Sequence, residues 1–151
     1  MSGGTASGKT EFMLTQLVNK KAMIVDTTLP TPEGARIKIN KALQAKKKVE
    51  IYSVIPDNLS RSFIAFLHRD RVFSQEHFYR THSQSRATLL WIAQNYPEIK
   101  IHLIESKYTS TKKMIFSEIT FSKRSELLKY LESIQLSQDA IIEKVINFTG
   151  K

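Results

Sequence analysis

Gly3-Gly4-Thr5-Ala6-Ser7-Gly8-Lys9-Thr10 is the stretch on which the reading of this chain turns. It satisfies the spacing G-x-x-x-x-G-K-[ST], in which small residues let consecutive backbone N–H groups turn inward on a phosphate. A helix beginning near Lys9 adds the positive end of its dipole. In a loop of this kind Lys9 reaches the β- and γ-phosphates of ATP, and the Thr10 hydroxyl completes the coordination of Mg²⁺. Gly3, Gly4, Thr5, Ala6, Ser7 and Gly8 are therefore expected to wrap the nucleotide.

Working outward, Phe12, Met13, Leu17 and Val18 form an apolar stripe that predicts a helix from about Lys9 to Lys20. Ala22-Met23-Ile24-Val25-Asp26 is a continuous apolar run ending in an acid, the pattern of a strand buried on both faces. Ligands of open α/β sheets bind outside the carboxyl ends of the strands. There Asp26 would hold Mg²⁺ through water, orient a substrate hydroxyl, or simply cap the next turn. Thr27 and Thr28 follow it into the same crevice. Thr31-Pro32-Glu33 predicts a helix start with a Thr cap, and Ala35, Ile39, Ala42 and Leu43 give that helix one apolar face.

Val49, Ile51 and Ile55 fall on one side of a second strand and Tyr52 and Val54 on the other, with Pro56 ending it. Asp57 or Asn58 then caps a helix with Leu59, Phe63, Phe66 and Leu67 inside. Arg69-Asp70-Arg71 leaves that helix; Arg69 and Arg71 suit a lid over a transferring phosphoryl group or, more plainly, offset the helix dipole. Ser74 is expected to cap a longer helix that Pro97 stops. Ile99 to Leu103 reads as a third strand, Met114 to Phe121 as a weaker one, and two short helices finish the chain. Strands alternating with helices predict one α/β domain over 1–151, in three layers around a mostly parallel sheet. A phosphate loop normally leaves a buried strand, and only Met1 and Ser2 precede Gly3, so the expected first strand is missing from the chain.

Composition narrows the function classes. The 151 residues are 41% apolar and 25% charged, enough for a real core. There are no cysteines, which removes disulfides, thiolate metal sites and a Cys nucleophile. No apolar run reaches the ~18 residues of a membrane helix, and the Gly-rich start lacks a signal-peptide core, so no membrane partner and a cytoplasmic location are expected. The net charge of +9 asks for an anionic partner. Its largest block, residues 20–48, carries eight Lys/Arg and two acids, the usual make-up of a solvated face. His77 and His82 lie five apart and do not share a helix face as a metal pair would. No nucleic-acid-reading module is apparent, so nucleic acid is not the expected partner.

The order of motifs resembles the zeta toxin-like P-loop kinases. The likeness rests on residues 3–10, on Val25-Asp26-Thr27-Thr28-Leu29, on Arg69 to Arg71, and on Glu76-His77-Phe78, and it runs from about Gly3 to Glu105. The resemblance implies a P-loop kinase fold that uses ATP and Mg²⁺ to phosphorylate a sugar hydroxyl of UDP-N-acetylglucosamine, with a small helical antitoxin as protein partner. It implies that Lys9 and Thr10 bind ATP and Mg²⁺, that Asp26 and Thr28 contact the substrate, and that Arg69 and Arg71 stabilise the charged phosphoryl group. Two departures stand out. Pro30 replaces an arginine that often follows the strand-end Thr-Leu. The family also inserts a long segment with an Asp-x-Asp-type catalytic base where Lys20-Lys21 here joins helix to strand. The expected function is thus an ATP-dependent phosphotransferase acting on a nucleotide sugar. The alternatives are a nucleotide-binding module without transfer activity and a kinase of nucleic acid or another small hydroxyl compound.

Overall fold

A computed structural model describes residues 1–68, 74–109 and 113–149. Within them lie six helices and one three-stranded sheet. Helix α1 spans Lys9–Gln16, α2 Pro32–Gln44, α3 Leu59–Leu67, α4 Gln75–Asn95, α5 Arg124–Ser133 and α6 Gln138–Thr149. The strands are β1 Glu50–Pro56, β2 Lys100–Tyr108 and β3 Met114–Ile119.

The local chemistry explains most boundaries. Thr31 Oγ1 accepts from the Gly34 N–H at 3.1 Å and caps α2, whose first residue is the expected proline. Asn58, not Asp57, caps α3, with its Oδ1 accepting from the Ser60 and Arg61 amides. Ser74 sits at the N-cap of α4 but makes no capping bond through its side chain.

Period-two alternation divides the core. Ile51 and Leu103 face a cluster that includes Ala35, Ile39, Leu89, Ile92, Leu127 and Leu131 from α2, α4 and α5. Val54 and Ile104 point the other way, onto Phe12 and Leu17 at α1. Helices therefore cover both faces of the sheet. A third cluster joins Leu59, Phe63 and Phe66 of α3 to Phe78 of α4 and Ile141 and Val145 of α6. No helix among the described residues is long and apolar enough to cross a membrane.

Three expectations are corrected. The sheet is mixed rather than mostly parallel: β1 and β2 are parallel, and β2 and β3 antiparallel, in the order β1-β2-β3. Residues 22–26 form no strand, and Met23 and Val25 are 89% and 48% exposed. The first helix stops at Gln16, leaving Val18 exposed.

The reason for the second correction lies at Met1 and Ser2. The Ser2 N–H donates to the Tyr52 carbonyl at 2.8 Å and the Val54 N–H to the Ser2 carbonyl at 2.9 Å, a single parallel bridge to β1. On the other side, the Met1 amine donates to the Val25 carbonyl at 2.7 Å and the Thr27 N–H to the Met1 carbonyl at 3.3 Å. Two residues thus occupy the place of a central strand between β1 and residues 25–27. A strand needs a ladder along its length, and residues 22–24 have none.

Candidate functional site

The loop leaves the sheet at Ser2 and turns through three residues of positive φ, Gly3 at 140°, Ala6 at 60° and Gly8 at 97°. Gly8 is the N-cap of α1 in the left-handed region, and no side chain caps the helix. A side chain at Gly3 would collide with the Val54 carbonyl, and one at Gly4 with the His82 ring. Packing therefore requires a glycine at both positions, and at Gly3 the positive φ requires it as well.

Five successive carbonyls of the loop are held by side-chain donors. Lys9 Nζ donates to Gly3 and Gly4 at 3.2 and 3.0 Å. His82 Nε2 lies 2.7 Å from the Thr5 carbonyl, Ser62 Oγ donates to Ala6 at 2.7 Å, and Ser106 Oγ to Ser7 at 2.6 Å. The Thr5 amide is itself taken by Thr81 Oγ1 at 3.0 Å. The Thr5, Ala6 and Ser7 carbonyls are thus anchored on α4, α3 and β2, while the amides of Ala6, Gly8 and Thr10 have no acceptor among the described residues. Unsatisfied amides at a helix start form a ready anion site. The Ser7 hydroxyl is fully buried and also has no partner.

His82 fixes the loop through α4. Burial holds its pKa down at about 3, so the ring is neutral and a carbonyl partner requires the proton on Nε2. Burial also pulls the Met1 amine below its usual range, against the opposing pull of Asp26.

The structure brings together most of the residues singled out in the sequence. Gly3 to Thr10 form the loop and the first turn of α1. Thr10 Oγ1 lies 3.5 Å from Asp26 Oδ2, so the two expected metal residues meet although 22–26 is not a strand. Thr28 is half-buried beside them in sequence, while the Leu29 amide is turned back onto Thr27 Oγ1 at 3.1 Å. Arg69 and Arg71 lie outside the described residues. Sequence reasoning missed Ser62, Thr81 and Ser106 and weighed His82 only as a metal partner of His77, because isolated Ser, Thr and His on apolar helix or strand faces carry no spacing signal.

The donor set suits a hard cation. No cluster of three or more His, Asp or Glu is present among the described residues, but one hydroxyl and one carboxylate meet. Mg²⁺ typically takes one or two protein oxygens and completes its shell with water and phosphate. No protein-family model matches the chain, and neither does any curated protein.

Proposed function

We propose that the loop binds ATP with Mg²⁺ and that the chain is an ATP-dependent phosphotransferase acting on a small hydroxyl-bearing substrate, a nucleotide sugar of the UDP-N-acetylglucosamine type. The observation that carries this reading is that the Thr5, Ala6 and Ser7 carbonyls are held by side chains of α4, α3 and β2, with amide donors left beside the start of α1. The P-loop kinase fold and the antitoxin partner belong to the same reading, through the likeness of residues 3–10, 25–29 and 69–71 to the zeta toxin-like kinases.

In this proposal Thr10 and Asp26 hold Mg²⁺, which when bound offsets the charge of the phosphate oxygens. Lys9 exchanges the Gly3 and Gly4 carbonyls for β- and γ-phosphate oxygens. The amides of Ala6, Gly8 and Thr10 donate to phosphate, and the anchored carbonyls keep the loop from reorganising as charge develops. Arg69 and Arg71 supply further positive charge, and Thr28 orients the acceptor.

A second reading, a nucleotide-binding module without transfer, is favoured by one feature. Asp26 is the carboxylate that meets Thr10, so the metal role and the base role fall on one residue. Two measurements separate these readings. ATP with Mg²⁺ should raise the melting temperature, a stabilisation of ~2.7 kcal/mol at a hundredfold excess over Kd. Lys9→Ala should abolish that shift. Mass spectrometry of UDP-N-acetylglucosamine incubated with ATP should then find phosphorylated product for the parent chain and none for Lys9→Ala. Stabilisation without product supports the binding module, and no stabilisation of the parent chain refutes both.

A further inference from the structure

A second cavity opens beyond the loop. It measures about 490 Å³ and lies at the carboxyl ends of β1 and β2, walled by α3, α4, α5 and α6. Ligands of α/β sheets gather at that end of the strands. Its chemistry differs from that of the phosphate loop.

Two opposite charges line the cavity, and neither forms an ion pair with another of the described residues. Arg86 of α4 is 7% exposed, and its Nη1 donates to the Ile134 carbonyl at 2.9 Å. No carboxylate among the described residues comes within ion-pair distance of it. Glu105 of β2 lines the same cavity, half-buried and likewise outside every ion pair among the described residues. Tyr130 of α5 stands where it feels both: burial raises its phenol most, Glu105 adds to the rise and Arg86 opposes it. A buried guanidinium without a counter-charge is costly. Here the cost is retained while a carboxylate waits in the same cavity, out of reach.

Lys144 and Asp57 repeat the arrangement at the exposed rim, so the cavity carries two cations and two carboxylates and is formally neutral. Leu59, Ile134 and Leu136 supply an apolar wall. A polyphosphate would meet two carboxylates, and a simple cation would meet Arg86. A molecule that carries an anionic group and, a few ångströms away, a hydrogen-bond donor would satisfy both sides at once.

We infer that this cavity is a ligand site for a small molecule bearing one carboxylate or phosphate together with an amine or hydroxyl donor, bridging Arg86 to Glu105 and Tyr130. The anionic group pairs with the guanidinium, where planar bidentate geometry is available. The donor goes to the Glu105 carboxylate and the Tyr130 oxygen. The site shares α4 with the phosphate loop, since His82 and Arg86 are four residues apart on one helix face. The inference does not depend on nucleotide binding.

The test uses the full chain, labelled for NMR, with glucose 6-phosphate as the phosphate-and-hydroxyl probe and L-leucine as the carboxylate-and-amine probe. Inorganic phosphate and glucose each carry half of the chemistry. The expected result is saturable movement of the Ile134 and Leu136 methyl signals with at least one of the two complete probes. Binding should be about tenfold or more tighter than with either half. Glu105→Gln, at a position making no ion pair in the fold, should weaken it by a similar factor. Arg86→Lys should do so without unfolding the chain, and Lys144→Ala is expected to have a smaller effect at the exposed rim. Which probe binds decides between the two sources of the anion. No saturable movement with either complete probe at millimolar concentration overturns the inference. So does binding that inorganic phosphate matches and Glu105→Gln leaves unchanged, or movement confined to the Gly8 amide.

Discussion

His82, outside the motif, ties the loop to α4 through one carbonyl and one glycine. Its ring lies against Gly4, sits 4.2 Å from the Phe78 ring at a tilt of 45° and reaches the Thr5 carbonyl. The linkage to pH has a definite sign. The folded pKa is about 3 against an ordinary value of 6.5, so the unfolded chain binds the extra proton first as pH falls. Stability from this group is complete above pH 6.5 and is lost progressively down to about pH 3, by on the order of a few kcal/mol. His82→Gln keeps an N–H donor and cannot titrate. Melting temperatures measured from pH 7 to pH 4 should fall less steeply for His82→Gln than for the parent chain; parallel curves would show that the ring does not titrate as its burial demands. None of this was legible in the sequence, where a histidine on an apolar helix face offers no hint of a partner 77 residues away.

Among the elements, those set by short-range chemistry were the easiest to foresee. The α2 start follows from Thr31-Pro32, and the β1 faces follow from alternating Ile and Val. The glycine-lysine loop was likewise readable from spacing, whereas Asp26 was expected near it from a strand that does not form and reaches Thr10 without one. Residues 22–26 were not readable in that way, because an apolar run specifies burial, whereas a strand also needs neighbours on its flanks. Two residues, Met1 and Ser2, hold that segment to β1, with help from Lys20, whose ammonium donates to the Tyr52 hydroxyl at 2.7 Å and pairs with Glu50 at 3.4 Å. This gives Ser2 two separable roles. Ser2→Pro removes the N–H donated to Tyr52 and should cost about 1–3 kcal/mol. Ser2→Ala removes only a buried hydroxyl that has no partner among the described residues and should be neutral or slightly stabilising. Urea unfolding of both variants checks the pair. A destabilised alanine variant would mean that the hydroxyl has an acceptor the fold does not reveal.

For the whole molecule, the question is whether a charge of +9 acts as one field or as separate local charges. Lys46, Lys47 and Lys48 are all exposed and precede β1 at its amino end, whereas Gly3 packs against Val54 further along the strand. From Glu50 to Val54 an extended chain runs ~13 Å, and the lysines lie beyond that. The screening length at physiological salt is ~8 Å, so their contribution at the loop should be small. Replacing all three with glutamine lowers the net charge from +9 to +6, since three positive charges are removed. ATP affinity at physiological salt should then stay within about twofold of the parent value, by the same screening. Non-specific binding of a single-stranded oligonucleotide at low salt should weaken visibly, because such binding counts phosphate contacts wherever they occur. Titration calorimetry with ATP and fluorescence anisotropy with the oligonucleotide read the two effects separately. If ATP affinity instead falls in step with oligonucleotide binding, the nucleotide is being held by the general positive field. The anchored carbonyls of Thr5, Ala6 and Ser7 would then have no bearing on affinity, and Gly3 to Thr10 would lose its standing as the site.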